Sequence, residues 1–194
     1  MRRAFVLATL GLLLCALPAS AASNKNTKPI GKHHTPIFLM PGGWPRTISI
    51  PEIKVNAKIE HLALTTQKGI LEAPFEWGDV AWYSLSARPG NVGHAIMFGH
   101  LDSTCCPAVF WNLKKLKVGQ RIWIHYKSKT LHFRIMWVKE YPNTHLPTKF
   151  MYGRTTQRGL ILYTCAGVFH YDGSGYDHKT FVYARLVLPN GRLG

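Results

Sequence analysis

The chain has 194 residues, with 24 Lys+Arg against 9 Asp+Glu and a formal net charge of +15. An apolar share of 46% with 12% aromatics is enough for a core, which excludes a disordered chain. Only one long apolar run is present, so a bundle of transmembrane helices is excluded too, leaving one domain behind one hydrophobic leader.

Met1-Arg2-Arg3 is a positive start, Ala4–Leu17 is almost wholly apolar, and Pro18-Ala19-Ser20-Ala21-Ala22 has small-x-small spacing. Residues 1–22 therefore read as a secretory signal peptide or, if uncleaved, a signal anchor that just spans a bilayer. Leu14 before Cys15 argues against lipidation, where a small residue is expected. Either way the domain is expected outside the cytoplasmic membrane, at the cell surface. Residues 23–45, rich in Asn, Lys, His, Gly and Pro, read as a flexible tether.

From Arg46 the pattern turns to period two, and residues 46–194 form the predicted domain. Ile48, Ile50, Ile53, Val55, Ala57 and Ile59 alternate with polar residues, and the register steps at Ile50-Pro51-Glu52 as at a bulge or edge proline. Gly93–Gly99 reads as a buried strand. Arg121–Tyr126 and Leu131–Tyr141 flank Lys127-Ser128-Lys129-Thr130 as a hairpin. A short helix is expected around Pro107–Leu116, with Pro107 early in it. Leu160–Thr164 reads as a short strand that stops at Cys165, and Thr180–Leu188 as the closing strand. The sum is a mainly β fold, a closed or nearly closed barrel of about eight short strands.

Beyond Cys15 three cysteines remain, Cys105, Cys106 and Cys165, an odd number too small for a disulfide scaffold. A free thiol in an exported chain is a candidate nucleophile. A thiol is only a few per cent thiolate near neutrality unless a positive group stabilises it, and a histidine can do so and return a proton to a leaving amine. His100 and Cys165 both end predicted strands, so one barrel rim could unite them. Cys105-Cys106 reads as two loop thiols or a vicinal disulfide; redox control through a bond to Cys165 is the sharper alternative. Trp77, Trp82, Trp111 and Tyr83 read as core and barrel-end packing, with a substrate groove as the alternative. The histidines lack metal-ligand spacing and the acids form no dense group, so no metal and no cofactor are expected. The basic residues are scattered, which argues against nucleic acid; an anionic wall or lipid surface is the more natural partner, and a solvated basic surface with no partner the plainer one.

Several motifs together carry a resemblance. Ile50–Ile59, then Pro89-Gly90 leading to Gly99-His100-Leu101-Asp102-Ser103, then Pro107-Ala108-Val109-Phe110, Leu116–Ile122, Leu162-Tyr163-Thr164-Cys165 and Val182-Tyr183-Ala184 resemble the sortases in order and spacing. The resemblance runs from about Arg46 to Leu188 and is nearest class F, with class E as neighbour. It implies a closed eight-stranded sortase β-barrel with one or two short helices, acting as a cysteine transpeptidase on C-terminal LPXTG-like sorting signals. It also implies an amine acceptor on the cell wall or another protein, a monomer, and no cofactor. By the same resemblance Cys165 is the nucleophile and His100 its histidine. The family's arginine position falls on Lys179, which keeps the charge but loses the planar fork. Arg185 shares that strand face by parity, and Gly173-Ser174-Gly175 leaves the count through Tyr171–His178 open to a slip. Thr164 is expected to offer its hydroxyl or backbone to the substrate. Asp102 and Ser103 are expected to orient His100 or its loop, or simply to make a turn. A cysteine hydrolase, a weakly catalytic wall-binding module and, more remotely, an L,D-transpeptidase are the alternatives.

Overall fold

The computed structural model describes residues 38–63 and 73–194, so the leader and most of the tether lie outside the described residues. Eight strands close a barrel: β1 (Thr47–Ile50), β2 (Val55–Leu62), β3 (Val80–Tyr83), β4 (Gly93–Gly99), β5 (Arg121–His125), β6 (Thr130–Pro142), β7 (Arg158–His170) and β8 (Gly175–Leu186). Their order around the wall is β1-β2-β3-β4-β7-β8-β6-β5. The β2–β3 and β4–β7 pairs are parallel and the rest antiparallel. Among the described residues no helix is long and apolar enough to cross a membrane.

Period-two alternation decides which side chains fill the barrel. Ile48, Ile50, Ile122, Ile124, Phe133, Leu160, Leu162, Val182 and Ala184 point inward and pack with Trp82 into one cluster. The outer faces of β4, β7 and β8 are covered separately. There Ile96, Ile161, Phe181 and Tyr183 meet Phe150 and Met151 of α1, a single helical turn (Thr148–Tyr152). Sealing both faces of these three strands explains why β4 and the first half of β7 are almost continuously apolar.

Several expectations need correction. The step at Ile50-Pro51-Glu52 is not a bulge but a reversal: Pro51–Ile53 form a 3-10 turn, Lys54 takes a left-handed conformation (φ 57°), and Ile50 pairs with Val55. The helix expected over Pro107–Leu116 is absent apart from a 3-10 turn at Leu113–Lys115. Pro107 instead bridges Asp102, while the amides of Ala108 and Phe110 donate to the carbonyls of Leu101 and His100. The strand expected to stop at Cys165 continues to His170, and the closing strand starts at Gly175 rather than Thr180. The reason is a ladder that runs straight through Cys165↔Lys179 and, after a bulge, resumes at Phe169↔Tyr176. The described end of the tether lies against the barrel: Phe38 packs on the core, and Arg88 donates to the carbonyls of Gly43 and Pro41.

Candidate active site

Three neighbouring strands build the site. On the outer face of β4, β7 and β8, Phe98 pairs with Tyr163 and Tyr163 with Phe181. Their rings form a stacked row, with centroids 5.5 Å and 5.3 Å apart. Two residues further along each chain, on the same face, come His100 and Cys165 in the chain direction and Lys179 on the antiparallel β8. Neighbouring strands lie about 4.8 Å apart, so the Cys165↔Lys179 pairing puts thiol beside ammonium, and His100, one residue past the end of β4, follows the Phe98↔Tyr163 pair towards them. All three line one cleft of about 340 Å³, with Phe98, Tyr163 and Pro74. Burial is the main cause that holds the Tyr163 phenol well above its usual range, with Tyr152 and Cys165 adding to it, so this floor of the cleft stays uncharged.

Cys165 Sγ receives a hydrogen bond from Lys179 Nζ at 3.7 Å, and the thiol is half-buried and free. Lys179 pairs directly with Cys165, and only the short tip at 171–174 between the two strands is loop. Arg185 is no substitute: it pairs with Gly159 at the other end of β8 and donates to the carbonyls of Leu193 and Gly194. His100 Nε2 lies 3.0 Å from the carbonyl of Pro74. A carbonyl only accepts, so this nitrogen carries the hydrogen, and Nδ1 has no hydrogen-bond partner among the described residues. Trp77 lies against the ring with centroids 4.3 Å apart, fixing its plane.

Thr164 is buried, and its hydroxyl donates to the carbonyl of Gly99 at 2.8 Å. It ties the strand of Cys165 to the residue before His100, so its hydroxyl is committed to the wall. Gly99 is required by close approach: a Cβ there would lie 2.7 Å from Val109 and 2.9 Å from Phe110. Asp102 accepts the hydroxyl of Tyr176 on β8, not a proton of His100, and that carboxylate is the main reason the phenol is pushed up to about 12. Ser103 caps its own turn, accepting the amides of Cys105 and Cys106 at 3.4 and 3.1 Å. None of the hydrogen bonds of those two cysteines goes to Cys165.

Sequence reasoning missed Pro74 and Tyr176, which lie in segments without pattern, and read Trp77 first as packing, with a substrate groove as the alternative. Trp82 is core as expected, whereas Trp77 and Trp111 are exposed, Trp77 against the His100 ring and Trp111 lining a second hollow next to Cys165. The second hollow, about 150 Å³, adjoins Cys165 from the barrel mouth and is lined by Leu101, Trp111, Glu140, Tyr176 and Thr180. At Gly167 the chain adopts φ 81°, and a Cβ would collide with Asp177 and His178. The bulge there is pinned by Asp177, which accepts the amide of Val168 at 2.8 Å. Among the described residues no group of three or more His, Cys, Asp or Glu side chains gathers to hold a metal.

A sortase-domain family model matches residues 48–187. The chain belongs to the sortase family. Similar solved structures include sortase A from Corynebacterium diphtheriae as its lid mutant, at 23% identity and TM-score 0.57, covering 76% of this chain and 73% of that one. Sortase C1 from Streptococcus suis shares 18% identity at TM-score 0.56, covering 76% of each chain. The lid mutant of Streptococcus agalactiae sortase C1 shares 18% at TM-score 0.55, covering 74% and 69%. These likenesses establish the sortase barrel, and no curated protein matches the chain.

Proposed function

We propose that this sortase-family protein is an exported cysteine transpeptidase that cleaves LPXTG-like sorting signals and passes the acyl group to an amine. The observation that carries the reading is that His100, just past the end of β4, and the paired Cys165 and Lys179 of β7 and β8 open to one cleft. Cys165, as thiolate, attacks the threonyl carbonyl and forms a thioacyl enzyme. His100 in its protonated form gives a proton to the departing amine, and Nδ1 is the nitrogen left for that traffic because Nε2 is bound to Pro74. Lys179, already at the sulfur, offers its ammonium to the charge that develops on the carbonyl oxygen. An amine of the cell wall or of another protein then resolves the thioester. In this reading residues 1–22 export or anchor the domain, it acts as a monomer at the cell surface, and the resemblance of the Pro107–Phe110 and His100–Ser103 motifs to class F, with class E as neighbour, supports that subtype.

The test is mass spectrometry of the protein with an LPXTG-type peptide and an amine, beside Cys165→Ala. A ligated product in the wild type alone supports the transpeptidase. Thiol-dependent cleavage without ligation makes it a hydrolase. A lysine in place of the family's arginine favours slow turnover, and complete inactivity with a reduced, folded protein would leave a sortase-shaped wall-binding module.

A further inference from the structure

The turn between His100 and Phe110 carries two adjacent thiols that the proposed chemistry does not use. Cys105 and Cys106 are both exposed and free. Asp102 and Pro107 bridge at the base of the turn, and the Ser103 amide donates to the Cys106 carbonyl at 2.8 Å. The Ser103 hydroxyl lies 3.6 Å from Cys105 Sγ and accepts both cysteine amides. The two adjacent thiols respond oppositely to each other. The Cys106 contact first, then Ser103, lowers Cys105 from its ordinary value, while the same contact raises Cys106. One thiol is thus prepared to attack and its neighbour to remain a protonated second nucleophile until needed.

We propose that Cys105 and Cys106 form a reversible dithiol–disulfide couple that exchanges with small-molecule disulfides and reshapes the turn beside the cleft. Cys105 thiolate attacks one sulfur of the disulfide, forming a mixed disulfide and releasing one thiolate. Cys106 loses its proton to solvent and attacks the Cys105 sulfur, closing the ring and releasing the second thiolate, which is protonated. Two protein thiols are oxidised and one small disulfide is reduced to two thiols. Consecutive Cα atoms across a trans peptide are about 3.8 Å apart, shorter than the usual disulfide range of roughly 4.4–6.8 Å. Ring closure therefore strains the backbone, which breaks the Ser103 contacts and makes the bond easy to reduce. Asp102, at the foot of the turn, holds Tyr176, and Tyr176 lines the hollow next to Cys165. The redox state of the pair reaches the site by that route.

The experiment uses the full chain and Cys165→Ala in buffers of increasing oxidised-to-reduced glutathione ratio, with peptide mapping by mass spectrometry. The expected result is loss of two hydrogens from the peptide holding both cysteines, in both proteins, reversed by reduced glutathione. Cys106→Ser accumulates glutathione on Cys105, and the NMR signals of the Tyr176 ring shift on ring closure. Glutathione retained on each cysteine without closure overturns the proposal. So does a pair that stays reduced where Cys165 is already modified. Unmoved Tyr176 signals overturn the link to the site.

Discussion

Replacing Thr164 by valine separates two roles for the residue beside Cys165. The buried hydroxyl donates to the Gly99 carbonyl at 2.8 Å, joining the strands that carry Cys165 and His100. Valine keeps the shape and removes the donor. Losing a buried hydrogen bond and leaving its acceptor short costs about 1–3 kcal/mol. The added methyl returns about 0.8 kcal/mol, so the net loss is about 0.2–2 kcal/mol. For a domain of this size that lowers the unfolding midpoint by up to about 8 °C. Thermal unfolding followed by circular dichroism, run beside peptide cleavage, is the assay. Thr164→Val is expected to unfold earlier and to lose kcat, with KM little changed, because Cys165 shifts relative to His100. Thr164→Ser keeps the donor and retains kcat, its cost limited to one methyl, about 0.8 kcal/mol. A valine variant that unfolds at the wild-type temperature while KM rises would refute the reasoning and return the hydroxyl to the substrate.

Lys179→Gln, which removes the cation at Cys165 Sγ, is expected to lower kcat/KM for peptide cleavage by about 10²-fold, whereas Lys179→Arg keeps or raises it. An unchanged rate in the glutamine variant would show that the ammonium takes no part. Gly167→Ala forces a Cβ into Asp177 at φ 81°, and is expected to cost about 1–3 kcal/mol in denaturant unfolding; wild-type stability would contradict the placement of the bulge. Asp177 is lowered to about 2, first by the His178 hydrogen bond, then by the Val168 amide. A lowered carboxyl stabilises the fold fully above its ordinary value of 3.8, and this contribution fades as pH falls towards about 2. The Val168 amide shift in NMR should follow that lower midpoint; a midpoint at the ordinary value would contradict the pinned bulge.

How much of this could be read from the chain depends on how local the cause is. Alternation along Arg121–Tyr141 fixed the hairpin because each residue's face follows from its neighbours, and Gly93–Gly99 was legible as a buried strand for its unbroken apolar run. β3 escaped notice: four residues, Val80–Tyr83, are too few to show a period, and their place is set by pairing with β2 and β4. The helix expected after Pro107 failed because the segment's amides are taken by the end of β4, a non-local competitor no propensity reports. In the site, Cys165, His100 and Lys179 could be named from motifs, but their alignment is a matter of register across three strands. The roles expected of Asp102 and Ser103 divided for the same reason: Ser103 acts within its own turn, while Asp102 reaches a tyrosine 74 positions away.

The central claim is that the row His100, Cys165 and Lys179 works as one acylating unit, and acyl-enzyme formation tests it most directly. Wild type, Cys165→Ala, His100→Gln and Lys179→Gln would be mixed with an LPXTG-type peptide without added amine. Intact mass and peptide mapping would follow the adduct. The account predicts a thioester on Cys165 in the wild type, none in Cys165→Ala, and slower accumulation when either His100 or Lys179 is changed. A thioester that forms at the wild-type rate in both of those variants, or an acyl group carried on another residue, would contradict it.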